Sequence, residues 1–414
     1  MDIIYWRNFC TTYDIYYLNL LSDKSKTILK TYLNKNVKFK GLQRILNLYF
    51  NPQPELKCNV LTDIVSLSYH TSHVYKKKIY IFGESHNLKE NCSIKKKNSC
   101  NVYDFIKHMF NIPKMMDMFL ETPTIIKGGK YRKTLIESSP LMKFSNRFEN
   151  CLDLIKKCKN SNVRFHNTDV RKGKSENLPF FMILEINIVD TLFYAFRYQD
   201  LKIYKMALKE INELLSDKYT DKRNEYIKNS KSYDLFIPYL LNVYNKFKIL
   251  RQLEKIPYKH VKNILTNYLY SKISKIDLKY FQLDKIIRVF SKFPKDHIPY
   301  ELFDEPVYLL KYVRKNLLEL TTYFMDFYLM SRLFRRFKQV DFQNSKEPEN
   351  IIIYVGDIHA DNYRAILKKL DFQQEFISKA KGIFIESYDK DWETCIDISK
   401  LKYPLFEMKL IKQF

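Results

Sequence analysis

Two glycine-led clusters carry the side chains best suited to chemistry. Gly83-Glu84-Ser85-His86 follows the apolar run Ile79-Tyr80-Ile81-Phe82, and Gly356-Asp357-Ile358-His359 follows Ile351-Ile352-Ile353-Tyr354-Val355. The chain has only seven glycines, so two that each open a Gly-x-x-His after an apolar run stand out. An imidazole titrates near neutral pH and can move protons or bind a metal, and a nearby carboxylate can orient it. Three more groups fall at similar places: Glu121 closes the run Met115–Leu120, and Asp169 and Arg171 follow the short run Val163–His166. Glu84, His86, Glu121, Asp169, Arg171 and His359 are therefore the candidate catalytic residues. Two chemistries fit them. Glu84, His86 and His359 can hold a divalent metal, or the imidazoles can act as general bases while Arg171 steadies an anion. A bland account competes, in which the histidines bond loop backbone, Glu121 starts a turn with Thr122-Pro123, and Arg171 belongs to a solvated basic stretch.

Each of these groups sits where an apolar run ends, and open parallel sheets bind ligands beyond the carboxyl ends of their strands. The expected fold class is α/β: a mostly parallel sheet with flanking helices, split by a large all-helical insertion. Residues 1–60 read as a helical extension that stops at Asn51-Pro52-Gln53-Pro54. Residues 61–175 read as the first half of the core, with helices at Val102–Phe110 and Phe144–Lys159. Residues 176–345 read as helix after helix, ending in one from Pro306 to about Lys338 in which Tyr328 and Arg332 brace each other. Residues 346–414 read as the second half, with a strand at Ile351–Val355, a helix at Tyr363–Leu370 and a last run at Gly382–Glu386. His70 and His73 precede the first strand and are expected at the surface.

Apolar residues make up 46% of the chain, enough for a sizeable core, and the formal net charge is +25. Such charge favours polyanions, but the basic residues are spread out, with short clusters such as Lys95-Lys96-Lys97 and Arg335-Arg336, so nucleic acid is a weak partner candidate. Seven cysteines without a Cys-x-x-Cys spacing, Cys92 among them, read as free thiols in a reducing compartment. The N-terminal residues lack a secretory pattern. The most apolar window, Leu178 to Phe196, contains Glu185, Asn187 and Asp190, so no membrane span is expected. The expectation is an intracellular protein.

In order along the chain, Gly83-Glu84-Ser85-His86, the run ending in Glu121, Asp169-x-Arg171 and Gly356-x-x-His359 resemble the motifs of the erythromycin esterase, ChaN, TraB and Tiki superfamily. The resemblance covers residues 75–175 and 346–390 and lies nearest to members encoded by large DNA viruses. It implies an α/β core and a hydrolase, metal-dependent or metal-free, acting on a small-molecule or peptide substrate, with Glu84, His86, Glu121, Arg171 and His359 as its site. It places the protein in host cytoplasm or virion. The other class to weigh is an inactive structural or host-interaction protein that contacts virion components. Val355-Gly356-Asp357-Ile358-His359 also looks like the opening of a metallophosphatase. No histidine follows His359 and no Gly-Asn-His-Glu occurs, so that two-metal set stays incomplete.

Overall fold

A computed structural model describes residues 27, 31, 44–45, 47–48, 51, 54, 56–85, 92–94, 98–112, 114–121, 140–148, 151, 160, 162–168, 180–189, 191–192, 195–196, 199–246, 250–291, 293–298, 305–337, 347–380, 393–402 and 405–406. The expected N-terminal extension and the run at Gly382–Glu386 lie largely outside them. The chain forms two compact units. One spans 1–122, 137–168 and 333–414; the other spans 123–136 and 169–332.

In chain order the first unit contributes β1 (Val60–Thr62), β2 (Ser66–Ser72), β3 (Lys77–Glu84), β4 (Ser99–Asn101), α1 (Val102–Met109), β5 (Met116–Leu120), α2 (Pro140–Arg147) and β6 (Val163–Asn167). Six strands form one sheet in the order β6-β5-β7-β3-β2-β8, where β7 is Asn350–Gly356 and β8 is Gln373–Lys379. The sheet is mixed. β6, β5, β7 and β3 run parallel, whereas β2 and β8 pair antiparallel. β7 enters between β5 and β3, so a strand from late in the chain completes the centre of an early sheet. Its Ile351–Val355 run is buried throughout, as expected of a parallel strand covered on both faces.

Side chains alternate across the sheet. One face carries Tyr80, Phe82, Met116, Met118, Leu120, Ile352 and Tyr354, packed against Phe105, Ile106 and Met109 of α1 and Leu141 and Phe144 of α2. The other face carries Ser66, Ser68 and His70 of β2 beside Gly83, Ile81 and Ile79 of β3. His70 is therefore buried, not a surface residue. The run Ser66-Leu67-Ser68-Tyr69-His70 alternates like a strand, with polar residues on a face that buries them. His73 lies beyond the strand and is exposed.

A second sheet joins three short strands in the order β4-β1-β9, with β9 at Cys395–Asp397. Two disulfides bracket it, Cys58–Cys100 and Cys92–Cys395, and Cys151 is disulfide-bonded as well. The expectation of free thiols is corrected at these positions: pairs 42 and 303 residues apart in sequence become neighbours only through the fold.

Between β6 and β7 every described element is helical. These are α3 (Phe180–Ile183) running into a π-helical turn at Leu184–Val189, α4 (Leu201–Leu214), α5 (Thr220–Asn229), α6 (Tyr233–Lys246), α7 (Lys259–Ile273), α8 (Leu283–Ser291) and α9 (Glu305–Phe334), with short 3-10 turns among them. α4 shows why: Ile203, Tyr204, Ala207, Ile211 and Leu214 form one buried stripe, and the Asp200 carboxylate caps the helix by accepting from the Lys202 and Ile203 amides. In α9 the Arg332 guanidinium donates to the Tyr328 hydroxyl at 2.9 Å, the expected brace. Asp326, fully buried on the same helix, accepts from Tyr268 at 3.1 Å. Among the described residues no helix is long and apolar enough to cross a membrane.

Candidate functional site

The strand order brings three chain segments together at one end of the larger sheet. Glu84 pairs with Gly356, and Leu120 pairs with Tyr354, so Glu84 and Glu121 end strands on either side of β7. Two strand spacings separate them, about 10 Å. α10 (Asp357–Lys369) starts directly from β7, with Gly356 at its N-cap, so His359 lies in a helical first turn and not in a loop.

Glu121 and His359 meet. His359 Nε2 lies 3.4 Å from Glu121 Oε1, and the other carboxylate oxygen accepts the Gly356 amide at 2.9 Å. Both side chains are nearly buried. One carboxylate thus fixes the strand-to-helix junction and faces the imidazole that the junction delivers.

Gly83 is required at this junction. A Cβ there would collide with the Asp357 carboxylate and the Ser66 hydroxyl. Those two groups bond each other, Ser66 Oγ donating to Asp357 Oδ1. Arg364, two turns along α10, donates through Nη2 to Ser66 Oγ at 2.5 Å and through Nε to Ser68 Oγ at 2.9 Å. Its Nη1 donates to Asp361 at 2.7 Å and lies 3.5 Å from Asp357. With Ser68 Oγ accepting from Arg364, the serine proton is left for His70 Nε2 at 3.0 Å. Burial, reinforced by the Arg364 charge, lowers the His70 pKa to about 4, so the ring is neutral and able to accept. One guanidinium therefore pins the first turns of α10 onto β2.

Glu84 faces the other way, with Tyr80 and Phe82. Its Oε2 accepts the Leu141 amide of α2 at 2.8 Å and the Tyr354 hydroxyl at 3.2 Å. Burial, and then the Glu84 charge, raise the Tyr354 pKa well above its ordinary value and keep the phenol a donor. A second histidine–carboxylate pair lies on the Glu121 face of β5 and β6. Asp117 Oδ1 contacts His166 Nε2 at 2.6 Å and accepts Arg164 Nε at 2.5 Å, while Arg164 Nη2 closes a fork on Oδ2 at 3.0 Å. Burial pushes the Asp117 pKa up, but the hydrogen bonds and charges of His166 and Arg164 outweigh it and hold the carboxyl below its ordinary value.

Of the six sequence candidates, Glu84, Glu121 and His359 lie at these strand ends, and Glu121 and His359 touch. His86, Asp169 and Arg171 lie outside the described residues, and so does part of the expected metal set of Glu84, His86 and His359. Among the described residues no three His, Cys, Asp or Glu side chains are grouped to hold a metal ion. Sequence reasoning missed the support around the site: Tyr354, Ser66, Ser68, Asp117, His166 and Arg364. The alternation through Ser66–His70 was the available signal for β2; nothing in the sequence pairs Arg364 with it. Compared with family models, curated proteins and solved structures, the chain matches none.

Proposed function

We propose that the chain is a hydrolase whose His359 imidazole acts as general base at the carboxyl edge of the larger sheet, with Glu121 as its positioning carboxylate. The single observation behind this reading is the contact between Glu121 and His359, two nearly buried side chains on separate segments that the sheet order unites. Chemically, a base held by a carboxylate takes a proton from water or from a substrate nucleophile, and the carboxylate stabilises the imidazolium that forms. The resemblance of the four motifs to the erythromycin esterase, ChaN, TraB and Tiki superfamily supports the reaction class and a small-molecule or peptide-like substrate. His86, Asp169 and Arg171 complete the set in that reading, with Arg171 holding the anion that develops. Glu84 supports the wall through Leu141 and Tyr354. Glu84 faces away from His359 and its carboxylate is taken up by Leu141 and Tyr354, so Glu84 and His359 do not fit a shared divalent metal and no step is assigned to one.

The test is a panel of fluorogenic small esters and short peptides assayed with the wild-type chain and His359→Ala. Hydrolysis by the wild type that falls about 100-fold or more in the variant is the expected result. Hydrolysis that survives the substitution would remove His359 as the base, and none in the wild type across the panel favours the structural or host-contact reading.

A further inference from the structure

We propose that this protein is matured by thiol oxidation: Cys58 with Cys100, and Cys92 with Cys395, are the sites on which a disulfide-exchanging oxidant acts, and the smaller sheet depends on the result. β1, β4 and β9 are three residues each, too short to persist on ladder hydrogen bonds alone. The cross-links fall on these strands. Cys100 lies within β4 and Cys395 within β9; Cys58 lies two residues before β1, and Cys92 lies in the segment leading to β4. In register, Leu61 pairs with Cys100 and Thr62 with Cys395; Cys58–Cys100 ties β4 to the segment entering the middle strand, and Cys92–Cys395 ties β9 to the segment that leads into β4. Every cysteine among the described residues is disulfide-bonded. Thiols of a reducing compartment stay reduced, so a consistent pattern of pairing marks a chain that meets an oxidant.

Burial sets the order of events. Cys58 is 3% exposed and Cys395 fully buried, so a macromolecular oxidant reaches them before the smaller sheet closes. For each pair, one cysteine thiolate attacks the oxidant's disulfide, forming a mixed disulfide and releasing one of its sulfurs as a thiol. The second cysteine's thiolate then attacks the mixed disulfide and releases the other. Two electrons pass to the oxidant, whose two sulfurs carry away the two protons. The chain is thereby the substrate of a dithiol–disulfide oxidoreductase class of reaction, independently of the hydrolase reading.

The full chain, made in a thiol-oxidising host compartment and blocked with a maleimide, tests this by peptide mapping without reduction and by amide hydrogen exchange with and without a phosphine reductant. Linked peptides Cys58–Cys100 and Cys92–Cys395 are expected. On reduction, protection in β1, β4 and β9 should fall by about tenfold or more while β3, β5 and β7 keep theirs. A Cys92→Ser, Cys395→Ser chain should show weakened protection there without reductant. Maleimide on these cysteines, unchanged protection of the smaller sheet on reduction, or equal loss in β3, β5 and β7 would overturn the proposal.

Discussion

Gly83 has a task that only a missing side chain can do. Its bare Cα lets the Ser66–Asp357 hydrogen bond form where β3 passes the start of α10. Gly83→Ala forces Asp357 aside, and with it the turn that carries His359. The expected cost is about 1–3 kcal/mol of stability, with a larger proportional loss of any hydrolysis, read by urea unfolding alongside the ester assay. His70 supplies a pH dependence of its own. The unfolded ring takes up a proton near pH 6.5, and the folded ring only near pH 4. Between those values the unfolded chain binds more protons, so stability falls as the pH drops through the window, by up to about 3 kcal/mol. Asp117 and Asp361, both held below their ordinary values, lose their contributions as the pH falls toward and below the ordinary carboxylate range, beneath most of that window. Melting curves from pH 7 to 4 should therefore be flatter for His70→Gln than for wild type. Parallel curves would show that His70 is not neutral in the folded protein.

α10 is the element that turns a strand end into a site. It is fastened through Arg364, whose three guanidinium nitrogens donate to Ser66, Ser68 and Asp361 and whose charge faces Asp357. Arg364→Met removes a donor from the buried Ser66 and Ser68 hydroxyls and the charge that faces the nearly buried Asp357, and should cost about 3 kcal/mol in a thermal melt. Arg364→Lys, with one point of attachment, should recover only part of it, whereas full recovery by lysine would mean that the fork geometry is idle. Much at this scale was legible. The apolar runs at Ile79–Phe82, Met115–Leu120, Val163–His166 and Ile351–Val355 all correspond to strands, and α1 and α9 lie within a few residues of expectation. β2 was hidden because serines and a histidine face the core, and their burial is made tolerable by Arg364, 294 or more positions away. β1, β4 and β9 are too short to leave a periodic trace. α10 starts at Asp357, earlier than expected, because β7 runs straight into it with Gly356, in extended conformation, as the N-cap.

At the scale of the whole molecule, sequence distance and spatial distance part company. β7 lies between β3 and β5, and only that placement sets Glu121 beside His359, 238 positions later. No local pattern states a strand order, so the pairing was legible as matching motifs but not as a contact. The disulfides were illegible for the same reason: without Cys-x-x-Cys spacing, only the fold reveals that Cys92 and Cys395 are partners. The central claim, that Glu121 works through His359, is tested most directly by kcat for wild type, Glu121→Gln, His359→Ala and the double variant on one hydrolysed ester. The account predicts that each single substitution lowers kcat, and that Glu121→Gln costs nothing further once His359 is alanine. Losses that multiply in the double variant would contradict it.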